Sequence, residues 1–91
     1  MATIADWMKV DGAHVADGLR EAADKLSATE SELVLDFSGV ERVDAKAVMA
    51  LEELTAKANE RSVRVVLRGV NVGIYKVLKL SRLDGQFGFL N

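Results

Sequence analysis

The stretch Leu33-Val34-Leu35-Asp36-Phe37-Ser38-Gly39-Val40, followed by Val43-Asp44-Ala45-Lys46-Ala47-Val48, decides the fold class. From Glu32 to Phe37 the residues alternate. Leu33, Leu35 and Phe37 face one way, and Glu32, Val34 and Asp36 the other, which is a strand with one clearly apolar face. Ser38-Gly39 then turns the chain. Beyond Val40 and Val43 the apolar period changes. Ala47, Val48, Leu51, Leu54 and Ala58 recur at helical spacing behind Asp44, whose short carboxylate suits an N-cap.

The same units continue on both sides. Upstream, Ile4 to Val10 reads as a weak strand interrupted by Asp6, and Asp11-Gly12 as a turn leading into a helix. That helix runs from His14 to Leu26, with Val15, Leu19, Ala22, Ala23 and Leu26 on its apolar stripe. Downstream, Val63 to Arg68 alternates as a second strand, with Val63, Val65 and Leu67 opposite Arg64, Val66 and Arg68. Asn71 suits the cap of a third helix through Leu80, with Ile74, Val77 and Leu78 inward. Gly85 breaks the chain after it, and Gln86 to Leu90 reads as a short last strand with Phe87 and Phe89 alternating.

The order β-α-β-α-β-α-β implies an α/β fold with a mostly parallel sheet of about four strands and helical crossovers. Strands covered on both faces would read as continuous apolar runs. The two central strands do not, so the three helices are expected mainly on one face, with the other partly wet. If these strands are neighbours, Glu32 and Asp36 can pair with Arg64 and Arg68 across the sheet. The wet face is then plain surface or a partner surface, and a homodimer through it is compatible with the pattern.

Ninety-one residues make one domain, expected to span 1–91. The 49% apolar and 29% charged residues are the balance of a globular chain. The net charge of −2 argues against broad nucleic-acid binding. The absence of cysteine excludes disulfides, thiolate chemistry and cysteine zinc sites, and favours a cytoplasmic setting. Met1 to Lys9 has no apolar core of a signal peptide, and no run approaches the ~20 apolar residues of a membrane span.

Catalytic chemistry finds little support. His14 is the only histidine and reads as a surface residue at a helix start; a zinc site needs several ligands. Ser27, Ser31, Ser38, Ser62 and Ser81 fall at turns or helix ends, where capping explains them. Gly69-Val70-Asn71-Val72-Gly73 lacks both dinucleotide and P-loop spacing and reads as a strand-to-helix turn. A small ligand would find its cleft near Asn71 and Tyr75. No nucleophile–base pair accompanies it, so neither an enzyme nor a cofactor is expected.

The helix starting at Asp44 is more informative. Arg42 and Lys46 surround an N-terminus that is already electropositive, where the helix dipole favours negative charge. Both side chains either reach into water or form a docking site for an acidic partner surface or an anion.

These residues resemble the STAS domain, the fold of sulphate transporters and anti-sigma-factor antagonists. The resemblance rests on Leu33 to Val40, on Val43-Asp44 opening a helix, and on Val63-Arg64-Val65-Val66-Leu67 as the next strand. Val77-Leu78-Lys79-Leu80-Ser81-Arg82-Leu83-Asp84 is similar to the family's closing motif, and Val10-Asp11 with the helix after it to its opening one. Residues 7 to 90 are covered. Three positions depart from the pattern. The family's phosphorylatable serine is Ala45, its usual glycine is Ala47, and another common glycine is Arg82. The N-terminal part is short, so the first strand pair is expected as one strand.

The resemblance implies a protein-interaction module docking through Arg42, Asp44, Ala45, Lys46 and Met49. The partner it implies is an anti-sigma factor or switch kinase, or alternatively the ATPase of an ABC-type lipid or anion transport system. A phosphoserine would add about −1.5 to −2 charge at this helix end; Ala45 has no hydroxyl to carry it.

Overall fold

The structure is a computed structural model and describes residues 6–90. In chain order it contains β1 (Asp6–Lys9), α1 (Val15–Lys25), β2 (Glu32–Asp36), α2 (Ala45–Arg61), β3 (Arg64–Arg68), α3 (Val72–Leu80) and β4 (Gly88–Leu90). Short 3-10 turns, Leu26–Ala28 and Asp84–Gln86, follow α1 and α3. Ile4, assigned from sequence to the first strand, lies outside the described residues.

The four strands form one parallel sheet in the order β1-β2-β3-β4. Each crossover carries a helix. With strands in sequential order, the right-handed rule puts successive helices on the same side. The core follows from this. Leu33, Leu35, Phe37, Val65 and Leu67 from the sheet meet Leu19 and Ala22 of α1, Leu51 and Leu54 of α2, and Ile74 and Leu78 of α3 in one buried cluster. Each leucine so enclosed stabilises the fold by roughly 2 kcal/mol over leaving it in water. The α/β fold read from the alternation is thus present, with every described strand pair parallel.

The second face is drier than the alternation implies. Trp7, Val34, Val66 and Gly88 lie side by side in register across it. Val34 and Val66 are only 2% and 4% exposed. Charged residues occupy the strand ends, Glu32 and Asp36 on β2 and Arg64 and Arg68 on β3. Register brings Glu32 beside Arg64 and Asp36 beside Arg68. The second pair closes an ion pair at 3.5 Å. Arg64 turns instead toward β4, where a Cβ on Gly88 would come 2.8 Å from its guanidinium.

Two helix ends use left-handed backbone. Ser62 closes α2 with φ 56°, and Arg82 follows α3 with φ 60°. The last strand begins two residues later than expected, because Asp84–Gln86 forms a 3-10 turn, but Phe87 is still buried. No helix among the described residues is long and apolar enough to cross a membrane.

Candidate interaction surface at the α2 N-terminus

The C-terminal ends of parallel strands gather the loops that lead into the helices, and such ends are where α/β sheets commonly place their sites. Here three loops lock together. Beyond β2, Phe37 N–H donates to the Arg68 carbonyl at 2.7 Å and Val40 N–H to the Phe37 carbonyl at 2.9 Å. Ser38 N–H donates to the Asp36 carboxylate at 2.9 Å. That backbone bond, with a further one from the Ser38 hydroxyl and the nearby Arg68 charge, holds the Asp36 carboxyl below its usual range.

Glycine permits the closest approaches. A Cβ on Gly12, in the β1–α1 loop, would collide with the Gly39 carbonyl oxygen of the β2–α2 loop. Gly69 has φ 74° and sits against Ser38, so a side chain there would be strained as well as crowded. Asn71 ties the third loop in. Its side-chain oxygen accepts from Ile74 N–H at 2.8 Å, capping α3, while its amide nitrogen donates to the Glu41 carbonyl at 2.9 Å.

From this platform α2 emerges. Asp44 has extended backbone, and its carboxylate accepts from Ala47 N–H at 2.8 Å, the capping bond expected of it. Ala45 is the first helical residue and is exposed, as are Arg42, Asp44, Lys46 and Met49. Met49 presents 61% of its surface and is the one large exposed apolar side chain of α2.

Asp44, Lys46 and Met49 share a groove of about 530 Å³ with the start of α1, where His14, Asp17 and Arg20 form the opposite wall. Arg42 and Ala45 lie outside that groove. His14 occupies the N-cap position of α1 without a capping bond, and its Nδ1 stands 3.3 Å from the Asp11 carboxylate. Asp11 also accepts from Ala13 N–H at 2.9 Å, and this backbone bond, with the His14 contact second, draws its carboxyl below the usual range. The α1 wall escapes a reading of α2 alone. The signal for it is the sequential strand order, which makes α1 and α2 neighbours.

The groove carries both signs of charge around an apolar side chain. Asp44, Asp17 and Glu53 supply the negative charges, Lys46 and Arg20 the positive ones, and Met49 the apolar side chain.

Comparison with known proteins agrees with the geometry. The family profile described as "Mlab, STAS domain" matches residues 9–91. No curated protein matches the chain at the sequence level. Among solved structures, a sulfate transporter family protein from Wolinella succinogenes is similar with a TM-score of 0.76 and 24% identity, over 93% of this chain and 75% of that one. A putative anti-sigma factor antagonist from Thermotoga maritima is similar with a TM-score of 0.72 and 16% identity, over 100% of this chain and 75% of that one. SLC26A9 matches over 79% of this chain but only 12% of its own length, with a TM-score of 0.56 and 26% identity. The profile match covers nearly the whole chain and the fold agrees with it: the chain belongs to the STAS domain family.

Proposed function

We propose that the chain acts as a single-domain, non-catalytic protein-interaction module, docking a protein partner through the N-terminus of α2 and the groove beside it. The observation that carries this reading is the exposed Met49 among Asp44 and Lys46, presented at a helix start that three interlocked loops hold in place. Arg42 and Ala45 flank the groove and extend the contact. Ala45 has no hydroxyl, so this face keeps one charge state and the partner cannot release it by phosphorylating that position. The partner class is an anti-sigma factor or switch kinase in a reducing cytoplasm. A second reading, an accessory subunit on the ATPase of a lipid or anion transport system, is favoured by the profile described as Mlab and by the likeness to a sulfate transporter family protein.

The test uses photo-crosslinking in the native host with a crosslinking residue at Met49. The wild type should join one defined protein, and the Arg42→Glu/Lys46→Glu variant should lose that product while melting at an unchanged temperature. A kinase-type anti-sigma factor or a transport ATPase in the product decides between the two readings. Absence of any defined product would show that this surface is not where the partner sits, and capture unaffected by the charge reversal would take Arg42 and Lys46 out of the contact.

A further inference from the structure

A second surface, sharing no residue with the groove at α2, lies at the opposite edge of the sheet. Five of the seven large hydrophobic residues exposed among the described residues gather there: Val72, Tyr75 and Leu80 of α3, and Phe89 and Leu90 of β4. Val72 and Leu80 are 71% and 85% exposed. Tyr75 and Phe89 meet edge to face with ring centroids 5.3 Å apart.

Charge is segregated to the same end. From Arg61 to Leu83 the chain carries Arg61, Arg64, Arg68, Lys76, Lys79 and Arg82 and no acidic residue, although the whole molecule has a net charge of −2. Arg68 is paired with Asp36. Lys76, Lys79 and Arg82 make no ion pair among the described residues, and the first acid beyond them is the half-buried Asp84. With Ile74 and Leu78 turned inward, Val72, Lys76 and Lys79 follow one another at i, i+4 and i+7 along the outer face of α3, with Tyr75 and Leu80 on its flanks.

We propose that this ridge adsorbs to an anionic lipid surface, with α3 lying in the plane of the headgroups. The arrangement of the residues selects this occupant. A protein interface gathers its apolar residues at the centre, with lysine depleted there. Here Lys76 and Lys79 stand between Val72 and Leu80, in the middle of the ridge. A nucleic-acid surface surrounds its cations with hydrogen-bonding groups, which Val72, Leu80 and Leu90 do not offer. Aliphatic side chains interleaved with lysines suit a membrane interface. The aliphatics enter the acyl boundary while the lysine stems lie along them and the ammonium groups reach the phosphates. Adsorption is shallow and reversible, and leaves the groove at α2 facing away from the lipid edge of the sheet.

Sedimentation of the full chain with phosphatidylcholine vesicles, and with vesicles of phosphatidylcholine and phosphatidylglycerol at 7:3, tests this. Partition onto the anionic vesicles should exceed that onto the neutral ones by about a hundredfold at low salt, since Lys76, Lys79 and Arg82 near such a surface contribute roughly fivefold each. Lys76→Gln/Lys79→Gln should lower it by about thirtyfold or less steeply where salt screens. Leu80→Ser, which leaves the charge unchanged, should weaken binding several-fold, whereas a surface acting by charge alone would not respond. Met49→Ser, which alters the α2 groove without changing the net charge, should bind the vesicles as the wild type does, so the α2 surface and this one fail or stand separately. Equal partition onto both vesicles, indifference to the lysine pair or to Leu80, or tighter binding to duplex DNA at matched anion concentration and salt would each overturn the proposal.

Discussion

Helices α2 and α3 begin in the same way and are tied into the molecule differently. Asp44 and Asn71 both have extended backbone, and each side-chain oxygen accepts from the N–H three residues on at 2.8 Å. The carboxylate of Asp44 has nothing to donate, and its bond stays within its own helix. The amide of Asn71 has a donor to spare, which it gives to the Glu41 carbonyl, thirty residues away in the loop that leads to Asp44. The helix that carries the candidate interaction surface is therefore capped by its own residue but positioned in part by the cap of the next helix. An aspartate at 71 would supply the first service and not the second.

The largest effect expected on this arrangement comes from the other side of the same loop. Gly12→Ala drives a methyl group into the Gly39 carbonyl oxygen, which is backbone and cannot swing aside. One of the two loops must shift, at a cost of about 2–3 kcal/mol. Chemical denaturation should show that loss. Because the loop leads to Asp44, partner capture through Met49 should fall with it even at temperatures where the variant is folded. A variant that melts like the wild type would mean that the two loops are not held in contact.

Next in size is the comparison of caps. Asn71→Ala removes the cap of α3 and the tie to Glu41 together and should cost about 2 kcal/mol, a cap and a hydrogen bond contributing roughly 1 kcal/mol each. Asn71→Asp keeps the cap and should lose only about half of that. Asp44→Ala should cost about 1 kcal/mol, since one local bond is at stake. Equal losses in Asn71→Asp and Asn71→Ala would place the whole value in the Glu41 tie; no loss in Asn71→Asp would place it all in the cap. Equilibrium unfolding in urea measures each.

The caps were legible in the sequence because capping is local: a short polar side chain ahead of an apolar stripe suffices to name both Asp44 and Asn71. The tie to Glu41 was not, because nothing in a segment says which remote carbonyl a spare donor will find. The alternation from Glu32 to Phe37 and from Val63 to Arg68 gave the strands, their core face and the Asp36–Arg68 pair. It misled on Val34 and Val66, which are 2% and 4% exposed, because period-two reading sorts residues by side and takes no account of how much of that side the neighbouring side chains cover. The α1 wall of the groove, Asp17 and Arg20, looked like ordinary solvated charge and gained meaning only when α1 was set beside α2. The exposed Val72, Leu80 and Leu90 gained meaning in a similar way, once the strand order had set α3 and β4 at the edge of the sheet.

The smallest effect concerns Arg82, which bears on both ends of the comparison. Its φ of 60° lies in the left-handed region, where a side chain costs about 1–2 kcal/mol and glycine does not. The family resemblance places a glycine at this position. Arg82→Gly should therefore stabilise the fold, by about 0.5–1 kcal/mol once the greater freedom of glycine in the unfolded chain is subtracted. The midpoint of thermal unfolding would rise by about 3–5 °C. The same change removes a cation from the end of the α3 ridge and should lower partition onto anionic vesicles by roughly fivefold. The two readouts move in opposite directions only if the strained residue is kept for its charge. A rise in melting temperature with unchanged vesicle binding would take Arg82 out of the lipid surface, leaving Lys76 and Lys79 to carry it.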